Sequence, residues 1–192
     1  MDTVARRRIL RWLVGVSLVV AIALGAIPFF ASFGVTPRAE NDKLGTYDFS
    51  TMSQGELKKF DYFWVYRRTE SDKSNVDRYR LHLADPDSKL SRQPPSAANT
   101  WRSENPDFFV FFPWAPIRSC SVVFIESGSR VVPSVPEASI VSRAPHFYEA
   151  CEGRTFDVSG RLFHRPNYPQ EQNLTVPDVK WFSKTQALVR RY

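Results

Sequence analysis

A small antiparallel all-β sandwich or barrel, carried behind a single N-terminal transmembrane helix, is the fold that the sequence predicts. Three observations lead there. Fourteen prolines against eight glycines, with 14% aromatic residues, favour extended segments and turns over a helical bundle. Beyond residue 59 the apolar runs are short and bounded by turn residues, and no long stretch repeats apolar residues at helical spacing. Ahead of them, residues 12–35, "WLVGVSLVVAIALGAIPFFASFGV", hold no charged side chain.

Taken in order, residues 1–11 are a basic N-terminus with Arg6, Arg7, Arg8 and Arg11. The 24 uncharged residues that follow exceed the roughly 20 that cross a bilayer as a helix, and Pro28 kinks the helix or starts its exit. A cleaved signal peptide has a shorter apolar region, and the Ala-x-Ala cleavage pattern is poor here, so a retained anchor is expected. "ARRRIL" also resembles a twin-arginine export signal. Four arginines precede the span and Arg38 alone lies just after it, which predicts a cytoplasmic N-terminus. The expected location is a bacterial inner membrane, single-pass, with the C-terminal domain in the periplasm. Residues 36–59 read as a polar hinge or tether ending in an edge strand, and 60–192 as the periplasmic domain.

Within that domain, "FDYFWVYRRT" (60–69) has strand composition and 69–83 suits a short helix. Residues 84–106 contain four prolines and few aliphatics, and read as a long loop wrapped on the surface. "DFFVFF" (107–112) is a continuous apolar run, the mark of a buried strand, and "SCSVVFIES" (119–127) alternates as another. Prolines 133, 136 and 145 break the next segment. "RTFDVSGRLF" (154–163) has the form of a hairpin turning at Ser159-Gly160, and "NLTVPDVKWF" (173–182) of a short strand interrupted by Pro177.

Net charge is +6, much of it at the two ends, with Arg190 and Arg191 closing the chain; this distribution does not point to nucleic acid. Cys120 and Cys151 are the two cysteines, each at a strand–loop junction and 31 residues apart. In an oxidising compartment they are expected to pair. Two free buried thiols, or a metal site of Cys120, Cys151, His146 and His164, are the alternatives, although the close ligand spacing of a strong zinc motif is absent.

From export start to C-terminus, the order of features resembles the Rieske iron–sulfur subunit of proteobacterial cytochrome bc1 complexes. The resemblance rests on "FWVYRRT", on "DPDSKLSRQPPSAANTWRSENPDFFVFF", and on "GRTFDVSGRLFHRPNYPQEQNLTVPDVKW". It implies an all-β Rieske-like domain. That family has two cluster-binding loops, of the forms C-T-H-L-G-C and C-P-C-H-G-S. In each, the first cysteine and the histidine bind iron and the other cysteine joins its counterpart in a disulfide. Here the loops read "APIRSC" (115–120) and "EACEGR" (149–154). The resemblance therefore puts Ala115, Ile117, Glu149 and Glu152 at the four ligand positions, and Cys120 and Cys151 at the two bridge positions.

Alanine and isoleucine offer no lone pair, and two carboxylates are hard oxygen ligands ill suited to a cluster that takes two thiolates and two imidazoles. No cofactor, no metal and no catalytic residue are expected. Glu149 and Glu152 read as solvated loop charges near Arg154. The apolar stretch with Phe111, Phe112, Trp114 and Ile117 either contacts a partner or fills the space of the missing cluster, with Phe112, Trp114 and Ile117 the expected contact residues. The resulting expectation is a non-catalytic accessory subunit of a respiratory electron-transfer complex, of the bc1 type, a terminal oxidase or a supercomplex. Its partners are cytochrome b-like or oxidase subunits, and the lipid bilayer through 12–35. A membrane-anchored assembly factor, or a redox component using a different metal, are the alternatives.

Overall fold

A computed structural model of the chain describes residues 12, 15–17, 45–116, 119–127, 144–165 and 172–190. The chain divides into two compact units, Met1–Asp42 and Lys43–Tyr192. In the first, Trp12 and residues 15–17 are helical. No helix among the described residues is long and apolar enough to cross a membrane, and apart from those four positions the expected span over 12–35 lies outside them.

The second unit is mostly β. Its strands are β1 (Gly45–Asp48), β2 (Leu57–Lys59), β3 (Trp64–Arg67), β4 (Phe108–Phe111), β5 (Val122–Ile125), β6 (His146–Glu149), β7 (Arg154–Phe156), β8 (Asp178–Trp181) and β9 (Gln186–Arg190). They pair as three antiparallel sheets with the orders β1-β9-β8, β2-β3-β4 and β5-β6-β7. Two strands, β1 and β2, fall within the segment 36–59, expected as a tether ending in one edge strand. One short helix, α1 (Glu70–Asn75), starts on a capping box in which Thr69 and Asp72 satisfy each other's backbone N–H groups.

The run at 107–112 shows how the layers stack. A strand buried on both faces has no need to alternate, and all four residues of β4 are buried. Phe109 and Phe111 point into one core with Val122, Phe147, Phe156 and Leu162 from the β5-β6-β7 side. Phe108, Val110 and Phe112 point into the other with Val179, Ala187 and Val189 from the β1-β9-β8 side. β3 alternates in step: Tyr66 joins the first core and Val65 the second. The β2-β3-β4 sheet is thus the middle of a three-layer sandwich, and stacked aromatic pairs such as Phe109–Phe111, 4.7 Å between centroids, fill it.

The expected surface loop at 84–106 is not a surface element throughout. Asp85, Ser88 and Ser91 are buried, and Arg102 has no exposed surface at all. The reason is a polar network that joins this loop to the turn at 157–162. Asp157 Oδ1 accepts the N–H groups of Ser159 and Arg161, each at 2.9 Å, and Asp157 Oδ2 pairs with the Arg161 guanidinium. Arg102 Nη1 donates to the Gly160 carbonyl at 3.0 Å. Arg68, from the end of β3, donates to the carbonyls of Trp101, Pro106 and Phe108 and to Ser159 Oγ. Asn173, within the "NLT" triplet, accepts from Leu162 N–H and donates to the Asp85 carbonyl and Ser88 Oγ. Burial pushes the Arg68 and Arg102 pKa values down, to about 10 and about 9, with the Asp157 carboxylate opposing the shift in both. Both guanidinium groups stay charged at neutral pH.

Gly160 closes the turn. Its φ of +68° suits glycine, and a Cβ there would press into the Phe109 ring and lie 3.1 Å from Leu174 Cβ. The expected hairpin is therefore present as a turn, with β7 before it and, in place of a second full strand, single bridges at Phe156–Leu162 and Leu83–Phe163.

Candidate functional site

The antiparallel register of β5 and β6 pairs Val122 with Glu149 and Phe124 with Phe147. Just beyond the paired ends of the two strands come Cys120 and, in the turn after β6, Cys151. They are bonded in a disulfide with Cα atoms 6.4 Å apart, and no free cysteine remains. The bond ties the segment between β4 and β5 to the turn between β6 and β7. Gly153 gives that turn its left-handed residue, with φ +69°.

Ala115 lies in the first apolar core with no exposed surface. Its N–H donates to the Cys120 carbonyl at 2.8 Å, Trp114 bridges to Ser121, and Val122 N–H donates to the Pro113 carbonyl, so 113–115 runs alongside 120–122. Ile117 lies outside the described residues.

Glu149 is not a solvated charge, and Glu152 is only partly one. Glu149 has no exposed surface; Arg154, from β7, is 3% exposed at its side chain and Glu152 19%. The expectation failed because position 149 belongs to a paired strand whose side chain points inward beside Val122. Glu149 Oε1 accepts the N–H groups of Cys151 and Glu152, the latter at 3.2 Å. Its Oε2 lies 3.9 Å from Arg154 Nη1, while Arg154 Nη2 pairs directly with Glu152 Oε2. Arg165 Nη1 donates to the Glu152 carbonyl at 2.6 Å, which fixes the turn from the other side. A buried guanidinium between two carboxylates thus occupies this corner. Only neighbourhood in sequence pointed to Arg154; the pairing of β6 with β7, Glu149 opposite Arg154, is what brings the charges together.

Of the aromatic residues nearby, Phe111 and Phe112 are buried core residues, and Trp114 is the exposed one at 36%. Its ring stacks on Phe112, 5.2 Å between centroids. Together with Tyr62, Arg92, Gln93 and Val176 they line a cleft of about 690 Å³. The histidines do not converge on the cysteines. His146 is buried in β6 with Nδ1 3.0 Å from the Ala144 carbonyl, and burial lowers its pKa. His164 is exposed, and His82 half-buried. The one group among the described residues that brings three potential ligand atoms together is Cys120, Glu149 and Cys151.

No protein-family model matches the chain, and no curated protein matches it.

Proposed function

We propose that the chain is a cluster-less, Rieske-like accessory subunit of a membrane electron-transfer complex, of the cytochrome bc1 type, a terminal oxidase or a supercomplex. It is anchored through 12–35, with the β unit on the periplasmic side of a bacterial inner membrane.

One observation carries this reading. The two cysteines that the resemblance assigns to the bridge are bonded to each other, whereas the neighbouring ligand positions hold a core alanine and a buried glutamate paired with arginine. An iron–sulfur cluster of this kind takes two thiolates and two imidazoles. The Ala115 methyl has nothing to offer it, and the Glu149 carboxylate is engaged by backbone N–H groups and faces a cation. The disulfide needs no metal and pins the loops by itself. A domain with this frame and without this chemistry is suited to holding partners together.

Trp114, stacked on Phe112 at the edge of the aromatic cleft, is the contact residue for a cytochrome b-like or oxidase subunit. With no cluster to carry between two sites, the domain takes one fixed position against that partner. The test is a gentle pull-down from detergent-solubilised membranes on a C-terminal tag, with every co-purifying band identified. Cytochrome-bearing subunits in fixed ratio are the expected result. Recovery with immature, cofactor-free subunits alone would favour an assembly factor, and recovery without any membrane partner would overturn the proposal.

A further inference from the structure

Cys120 Sγ, Cys151 Sγ and a carboxylate oxygen of Glu149 all lie within 4.8 Å of one another. Glu149 ends β6, and the disulfide joins residues just beyond the paired ends of β5 and β6. Glu149 is wholly buried, and although its Oε1 takes two N–H groups, its Oε2 accepts no hydrogen bond. A buried carboxylate oxygen without a donor is destabilising, and a cation beside it removes the penalty. Arg154 Nη1, at 3.9 Å, stands off from it. Cys151 is exposed and Cys120 half-buried, so a thiolate from solvent can reach the bond.

We propose that opening the disulfide turns this corner into a site for a borderline-soft divalent cation, zinc above all, held by Cys120 Sγ, Cys151 Sγ and Glu149 Oε2 with solvent as the fourth ligand. The reductant is a small or protein thiol. One thiolate attacks Cys151 Sγ, breaking the S–S bond and releasing Cys120 as thiolate. A second thiol resolves the mixed disulfide, leaving as the oxidised thiol dimer. The chain gains two electrons and two protons in total. The cation then displaces the two thiol protons to solvent.

Zinc–sulfur bonds of about 2.3 Å in a tetrahedron put the two sulfurs about 3.8 Å apart. Rotation of the two cysteine side chains reaches this from Cα atoms 6.4 Å apart. Two thiolates and the Glu149 carboxylate carry three negative charges, of which the dication offsets two, while the Arg154 guanidinium is shared between Glu149 and the partly exposed Glu152. Thiolate ligands select against magnesium and calcium. The inference goes beyond the subunit role and does not rest on it, because it needs only these three side chains.

The experiment uses the full chain in detergent. Zinc is titrated against a chromophoric chelator before and after reduction with a phosphine, which opens the disulfide without competing for metal as a dithiol does; cobalt replaces zinc for spectroscopy. The expected result is one equivalent of zinc bound after reduction and none before, with thiolate-to-cobalt charge-transfer bands. Cys120→Ser should abolish binding, and Glu149→Gln, which exchanges a carboxylate ligand for a neutral amide, should weaken it by at least the roughly tenfold that loss of an outer-shell partner costs. Equal binding by the oxidised chain, no binding by a reduced chain that keeps its near-ultraviolet circular dichroism, or unchanged affinity in Glu149→Gln would overturn the proposal. A reduced chain that loses that signal and does not regain it with zinc overturns it as well. None of these results depends on a respiratory partner, so failure here leaves the pull-down to decide the subunit role separately.

Discussion

Two regions of the β unit bury charge, and they do it differently. Around the turn at 157–162, Arg68 and Arg102 spend their donors mainly on carbonyls of distant segments, and Arg161 pairs with Asp157. At the corner of β6 and β7, Glu149, Glu152 and Arg154 answer one another across the turn, and a covalent bond closes the loops. The first region is a joint: remove one member, and a loop of the 84–106 segment loses its hold on the sandwich. The second is a lock placed over a small local group. Charge buried in the service of backbone carbonyls fixes architecture, whereas charge buried beside a disulfide leaves the architecture to the bond.

Asp157→Ala should separate the two regions most sharply. It leaves the Arg161 guanidinium buried without its carboxylate and frees two backbone N–H groups, so a loss of about 3–5 kcal/mol is expected by urea denaturation. A loss under about 1 kcal/mol would mean that the network is ornament rather than joint. Opening the lock comes next. Cys120→Ser or Cys151→Ser should lower stability by about 3–4 kcal/mol in the chain-entropy account, seen as a thermal midpoint lower by several degrees. In the same variants, amide exchange should rise at 113–122 and 150–153 while 85–103 stays protected. Exchange rising equally in both places would show that the two regions are one cooperative unit.

Gly160→Ala tests the joint from the backbone side. Left-handed φ and the Phe109 ring together should make it about 2–3 kcal/mol less stable, with Phe109→Leu in the same chain recovering part of the loss.

The smallest expected effect is a pH dependence near the lock. His146 is buried in β6, its Nδ1 bonded to the Ala144 carbonyl and its Nε2 without a partner, and burial lowers its pKa. Below its ordinary value of 6.5 the unfolded chain takes up a proton that the folded chain resists. The unfolded state then binds more protons, so stability should fall as pH drops below about 6.5, by at most about 1.4 kcal/mol per pH unit. His146→Gln should remove that slope while the acid limb due to carboxylates remains.

Much of the sandwich was legible because each strand carries its burial in its own letters. "DFFVFF" declared a strand buried on both faces, and the alternation in 119–127 declared β5. β6 was not legible, since "HFYE" follows Pro145 in a proline-broken stretch and gains its strand character only by pairing with β5 and β7. β9 went unread for a similar reason: "QALVR" alternates over five residues, too short to stand out at the chain end. The network at Arg68, Arg102, Asp157 and Asn173 joins residues up to 91 apart in sequence, as Arg68 and Ser159 show. No local pattern announces such a contact. At the corner, the cysteine pairing was legible from type and context. The burial of Glu149 was not, because glutamate in a short loop normally faces water, and only the register of β6 turns it inward.

We propose that a disulfide and a buried ion-pair group stand where, on the Rieske resemblance, a cluster would be held. Iron and acid-labile sulfide, measured on the full chain purified aerobically and anaerobically, with electron paramagnetic resonance of the dithionite-reduced sample, test it most directly. Iron and sulfide at background in both preparations, and no Rieske-type signal after reduction, are the expected results. Two iron and two sulfide per chain with that signal, in either preparation, would contradict it.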